Sequence, residues 1–119
     1  MQTVDDLITE AQQALSKYSY YIRHEIVSRG ARYCKTRLII IDRDLFVQIN
    51  RNETASLTNF ALIHQSQRIY GRDEYRGGWH RHTSSAPEYH NGSPEGSRSV
   101  SLTEFLIEVD DLLFSKGLI

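Results

Sequence analysis

A chain of 119 residues, 39% hydrophobic and 24% charged, has the make-up of one globular domain, 1–119, able to close a single core. No run is long or apolar enough to span a bilayer. The start Met1-Gln2-Thr3-Val4-Asp5-Asp6 lacks the pattern of a signal peptide, and Cys34 is the only cysteine, which excludes an internal disulfide; a cytoplasmic protein without a membrane partner is expected. The net charge of −1 conceals a pattern: residues 1–16 and 99–119 sum to −3 each, whereas the middle holds 13 basic residues against 8 acids. A cationic centre suits a polyanion such as nucleic acid, and equally the solvated face of a half-buried sheet.

Val4, Leu7, Ile8, Ala11, Leu15 and Tyr18 recur at helical spacing behind Thr3, a good N-cap, so an amphipathic helix opens the chain. It is expected to break near Lys17, because Tyr18-Ser19-Tyr20-Tyr21-Ile22 is rich in strand formers, with a first strand around 20–28 before Gly30. Leu38-Ile39-Ile40-Ile41 and Leu45-Phe46-Val47-Gln48-Ile49 read as two strands around the polar turn Asp42-Arg43-Asp44. Thr58 to Gln65 and Arg68 to Arg76 form a second pair, turning near Ser66-Gln67. The pattern is an antiparallel meander. Past Arg76 the glycines, serines and prolines of residues 77–100 predict a long loop, longer than a passive connection and therefore flexible or functional. The capping box Ser101-Leu102-Thr103-Glu104 opens a closing helix with the apolar stripe Leu102, Phe105, Leu106, Val109, Leu112 and Leu113. The expected class is α+β: an N-terminal helix, a meander sheet of four to five strands, a long His-rich loop and a C-terminal helix.

Three of the five histidines, His80, His82 and His90, fall in that loop. Three chemistries fit them. In an extended segment His80 and His82 share one side, and His90 could complete a three-imidazole site for a divalent metal. Alternatively, two imidazoles suffice to cleave RNA without metal, one taking the proton of the 2′-hydroxyl and the other protonating the leaving oxygen, while cations hold the phosphorane. Arg72, Arg76 and Arg81 interleave with the histidines, and Tyr70 and Tyr75 could position a base. The third reading is structural, with the histidines and arginines decorating a polar segment that contacts a partner protein. His24 and His64 read as sheet residues, and Cys34 as a small buried one.

The run Tyr70-Gly71-Arg72-Asp73-Glu74-Tyr75-Arg76, then Trp79-His80-Arg81-His82, then Pro87-Glu88-Tyr89-His90 and a Leu-rich helix resembles the TumE-type toxins of prokaryotic toxin–antitoxin pairs. Tyr75-Arg76, His80 with His82, and Pro87 with His90 fill the places of that family's motif. The family's dense histidine run after the proline is thinned here to His90, and Arg81 separates the first pair. The resemblance implies a growth-inhibiting toxin acting through RNA and a cognate antitoxin as partner. In outline the order of elements is also similar to small metal-independent toxin ribonucleases.

Together these readings predict a ribonuclease without a cofactor, with His80, His82 and His90 as acid–base candidates and Arg72, Arg76, Arg81, Tyr70 and Tyr75 as substrate contacts. The alternatives are a non-catalytic binding module and a metal-dependent nuclease on the same histidines. RNA, a cognate antitoxin and a second copy of the chain are the expected partners, the last two covering the apolar stripes of the terminal helices.

Overall fold

The computed structural model describes residues 2–83, 86–91 and 93–119, with backbone alone for 86–91. Thr3 starts α1 (Val4–Lys17): its hydroxyl accepts from Asp6 N at 3.1 Å, and the Asp6 carboxylate accepts from Thr3 N at 3.2 Å. This reciprocal pair satisfies two donors that a helix end leaves open. The helix buries Val4, Leu7, Ala11 and Ala14 and stops where Tyr18 turns extended. Tyr18, Tyr20 and Tyr21 then pack ring against ring, and the Tyr20 hydroxyl donates to Asp110 at 2.7 Å.

Among the described residues seven strands follow: β1 (Arg23–Arg29), β2 (Tyr33–Ile41), β3 (Leu45–Asn52), β4 (Leu57–His64), β5 (Gln67–Tyr75), β6 (Gly78–Thr83) and β7 (Ala86–Asn91). Each pairs antiparallel with the next, so the sheet is a pure meander in chain order. The class is α+β as expected, but the sheet runs past the four or five strands anticipated. The additional strands come largely from the stretch expected to be a loop. Arg76 and Gly77 are both left-handed, with φ of 51° and 84°, which makes a two-residue hairpin turn whose twist matches the strands it joins. Glu74 fastens it by accepting from Gly77 N at 3.2 Å. Among the described residues, irregular backbone runs from Ser93 to Ser101, which caps α2 (Leu102–Ser115) with Glu104 as its reciprocal partner.

Both helices pack on one face of the sheet, α1 over β1 and β2 and α2 over β4. Leu38, Val47, Ile49, Phe60 and Leu62 rise from that face to meet Leu7 and Ala11 of α1 and Leu102, Phe105, Leu106 and Val109 of α2. Phe105 sits at the centre, 5.4 Å from the Phe60 ring and stacked on Tyr70 at 5.8 Å. Burying a side chain of its size contributes about 3 kcal/mol. No helix among the described residues is long and apolar enough to cross a membrane, and no described helix lies on the opposite face.

Candidate functional site

Strand side chains alternate between faces, so the register decides which residues can meet. The Arg76-Gly77 turn pairs Tyr75 with Gly78, Asp73 with His80 and Gly71 with His82. These positions point away from the helices. The intervening ones, Glu74 with Trp79 and Arg72 with Arg81, point toward them. The sequence candidates are therefore divided: His80, His82 and Tyr75 belong to the open face, while Tyr70, Arg72 and Arg81 belong to the covered one.

On the open face, His82 Nε2 stands 3.0 Å from Asp73 Oδ2. The two residues are diagonal neighbours on adjacent strands, within reach of a long side chain. Arg68 Nη1 donates to both oxygens of the same carboxylate, at 3.2 and 3.0 Å. The result is a chain from Arg68 through Asp73 to His82, with His80 directly across from Asp73. His82 is enclosed at 3% exposure, whereas His80 is half-buried.

Two local features bring Arg68 there. The pairing of β4 with β5 slips between Leu62, opposite Tyr70, and Ile63, opposite Arg68, leaving Ile69 as an additional residue that packs against the core. Such a bulge re-aims the side chains on either side of it, and here it sends Arg68 to the open face although Tyr70 and Arg72, two and four residues on, face the helices. Gly71 then lets the arginine lie flat across the strand. A Cβ at Gly71 would stand 3.2 Å from Arg68 Cδ and 3.0 Å from the Phe60 carbonyl oxygen.

The same face continues across the sheet. Asp73 faces Asn59, Asn59 faces Asn50 and Asn50 faces Lys35; in the next row Gly71 faces Ala61, Ala61 faces Gln48 and Gln48 faces Arg37. Arg37 donates to Gln48 at 3.1 Å and lies 4.9 Å over the Phe46 ring. From β2 to β6 this polar band crosses four strand spacings, about 19 Å. At its hairpin edge Tyr75 is exposed, with the Arg76 guanidinium 5.2 Å over its ring.

Arg72 has a different fate from the phosphate contact expected of it. It is fully enclosed on the covered face, with Nη2 2.6 Å from Glu108 and 3.0 Å from Glu95, and Nη1 2.8 Å from the Glu95 carbonyl. Burial opposes its charge, but Glu108, Tyr70 and Glu95 more than offset this, and its pKa ends above the ordinary arginine value. The Tyr70 hydroxyl donates to Glu108 at 2.7 Å; burial and that carboxylate push the phenol up to about 12. Tyr70 and Arg72 thus fasten the sheet to α2 and offer nothing to a ligand on the open face. Arg81 sits beside Arg72 on that covered side. The His90 side chain lies outside the described residues, as do those of Pro87, Glu88 and Tyr89. Among the described residues no group of three His, Cys, Asp or Glu side chains could hold a metal ion.

Arg68, Gly71, Asn50, Asn59, Lys35 and Arg37 were not among the sequence candidates. In sequence, Asp73 stands out only as part of the run from Tyr70 to Arg76. Its pairing with His80 follows from the two-residue Arg76-Gly77 turn once that turn is recognised. The position of Arg68 does not, because a bulge reverses the parity on which such counting rests. Compared with models of known families, with curated proteins and with solved structures, the chain matches none of them.

Proposed function

We propose that the protein binds RNA across the helix-free face of its sheet and cleaves it there without metal, as the toxin component of a cytoplasmic toxin–antitoxin pair. The observation that carries the reading is the pair His80 and His82 on one face of β6, two residues apart and so roughly 7 Å from each other along the strand, with His82 Nε2 3.0 Å from Asp73 Oδ2. Two imidazoles at that separation can flank one phosphodiester. His80, the more accessible, takes the 2′-hydroxyl proton, and His82, oriented by Asp73, protonates the leaving 5′-oxygen. Arg68 supplies positive charge for the phosphorane beside them. Lys35, Arg37, Asn50 and Asn59 line the track of the strand, and exposed Tyr75 offers a ring for an unpaired base. The likeness to TumE-type toxins supports the same activity, and a cognate antitoxin or second copy is expected against α2, whose outer side exposes Ile107 and Phe114.

A second reading is favoured by the enclosure of His82. With 3% exposure and Arg68 laid across Gly71, the chain Arg68–Asp73–His82 also works as a structural clasp between β5 and β6. The open face would then hold a polyanion without cutting it. Incubation of mixed RNA with the protein in EDTA, beside His80→Ala and His82→Ala, separates the two. Cleavage that falls by about 10²-fold or more in both folded variants supports the enzyme. RNA bound but intact under every condition supports the binding surface, and decay unchanged in both variants overturns the histidine mechanism.

A further inference from the structure

The open face ends, on the side far from the histidines, in a cavity of about 280 Å³ formed by β1, β2, β3 and the turn between the last two. Register places it. Arg23 faces Ile39 and Ile39 faces Phe46 in one row, and Glu25 faces Arg37 in the next. That second row runs on through Gln48, Ala61 and Gly71 to His82. Cavity and candidate site thus lie at the two ends of one line across the sheet, about 19 Å apart. Three guanidiniums, those of Arg23, Arg37 and Arg43, line the cavity against two carboxylates, Glu25 and Asp42.

One arginine takes up both carboxylates: Arg23 Nε donates to Glu25 at 2.6 Å and Nη2 to Asp42 at 2.7 Å. Arg37 is held by other parts of its side chain. Its Nε donates to Gln48 at 3.1 Å and its guanidinium lies 4.9 Å from the centre of the Phe46 ring. The plane is therefore fixed, while neither Nη is enclosed or meets an acceptor among the described residues. Arg43 is exposed, has no side-chain partner among the described residues, and adopts left-handed backbone with φ of 59°, where glycine is at ease and arginine is not. Its neighbour Asp44 stands apart beside His64, 3.7 Å from Nε2.

An excess of one positive charge, offered as N–H donors on a guanidinium of fixed plane, matches a singly charged anion with two adjacent oxygens. A phosphodiester has that form; a phosphomonoester or polyphosphate brings further charge toward Glu25 and Asp42. We propose that this cavity is a distal subsite for one phosphodiester of the RNA strand, held by Arg37 and Arg43, and that it sets the length of strand the protein binds well. At about 3.4 Å per stacked nucleotide the interval corresponds to about six nucleotides, and a dinucleotide held at His80 and His82 does not reach across it. The proposal rests on the RNA reading for its ligand and is independent of cleavage.

Binding is read by fluorescence anisotropy with labelled 2′-O-methyl RNA, which lacks the attacking hydroxyl and stays intact, as a dinucleotide and as an octanucleotide. The octanucleotide should bind the unaltered chain about tenfold or more tightly than the dinucleotide. Arg43→Gly suits the left-handed backbone and should leave the midpoint of thermal unfolding no lower. It should nevertheless weaken the octanucleotide by roughly five- to tenfold and reduce the slope of log affinity against log salt by about 0.7, the loss of one phosphate contact. Arg37→Gln should weaken it as well, and neither variant should alter dinucleotide binding. Arg32→Ala removes the same charge from the exposed turn at the other end of β2 and should shift octanucleotide affinity by less than about twofold. Equal affinity for the two lengths, octanucleotide affinity unchanged in Arg43→Gly or Arg37→Gln, an equal loss in Arg32→Ala, or displacement of the strand by octaglutamate as readily as by RNA overturns the subsite. Cleavage is scored separately on unmodified RNA. Length-dependent binding without cleavage keeps the subsite and removes the ribonuclease reading; equal kcat/KM on dinucleotide and octanucleotide keeps the ribonuclease and removes the subsite.

Discussion

His82 and Arg81 are neighbours in the chain and lie on opposite faces of the sheet, His82 Nε2 standing 3.0 Å from Asp73 Oδ2 on the open side and Arg81 paired with Arg72 on the helix side. On the proposed RNA-cleavage reading, the open-face histidine draws its chemistry from Asp73 and Arg68, because Arg72 and Arg81 lie on the covered face. Asp73→Asn should keep a polar group in place but weaken the charge that orients His82. RNA cleavage should fall by roughly tenfold or more, with a changed pH–rate profile, while the far-ultraviolet circular dichroism stays as it is. A profile of unaltered shape and height would remove Asp73 from the mechanism.

Arg72 is a test of the covered face. Arg72→Met removes the cation from between Glu108 and Glu95, leaving the Glu108 carboxylate, 22% exposed, without its main partner. Breaking a buried pair in this way costs about 3–5 kcal/mol, and the partial access of Glu108 to water favours the lower figure. Urea unfolding should show the loss as a shifted midpoint. Arg76→Ala, at the exposed hairpin tip, should change stability by no more than about 0.5 kcal/mol.

Gly71 couples the two faces. In Gly71→Ala the new methyl meets the Phe60 carbonyl oxygen at 3.0 Å and Arg68 Cδ at 3.2 Å. The arginine can move, but the backbone oxygen cannot without disturbing the pairing of β4 and β5. A loss of about 1–3 kcal/mol is expected, together with a larger proportional fall in RNA cleavage than in Arg76→Ala, because Arg68 is displaced from Asp73. Equilibrium unfolding and cleavage assays on the same preparations measure both.

Burial lowers the pKa of His24 below its ordinary 6.5. Its Nδ1 lies 3.1 Å from Gln12 Oε1, and Nε2 is buried with no partner among the described residues, so a second ring proton has no acceptor. The unfolded chain then binds that proton first as the pH falls. The stability this provides is complete above the unfolded value and is lost as the pH drops from about 6.5 toward the folded value. His24→Leu should flatten the change in unfolding midpoint over that interval. An identical slope in variant and parent would show that another group is responsible.

Much of the fold was legible in local sequence. Thr3 with Asp6 and Ser101 with Glu104 mark both helix starts, because capping is satisfied by residues three apart. Four central strands and their turns lie within about three residues of where apolar alternation places them. Within 77–100 the described residues 93–100 are irregular as expected, but 78–83 and 86–91 are strands: the glycines, serines and prolines weigh toward loop, yet Arg76-Gly77 is a hairpin turn and Trp79-His80-Arg81-His82 alternates as a strand does.

The sequence by itself determined the helices, the antiparallel order of the central strands, and that His80 and His82 would share a face if extended. All of these depend on spacing within a few residues, which the chain carries locally. Only the tertiary structure decided what lies beside them. The bulge at Ile69 put Arg68 with Asp73 and His82, and the packing of α2 carried Glu108 to Arg72 from 36 residues away. The competition of a distant carboxylate for a guanidinium is settled by how two layers pack, and no local spacing records it.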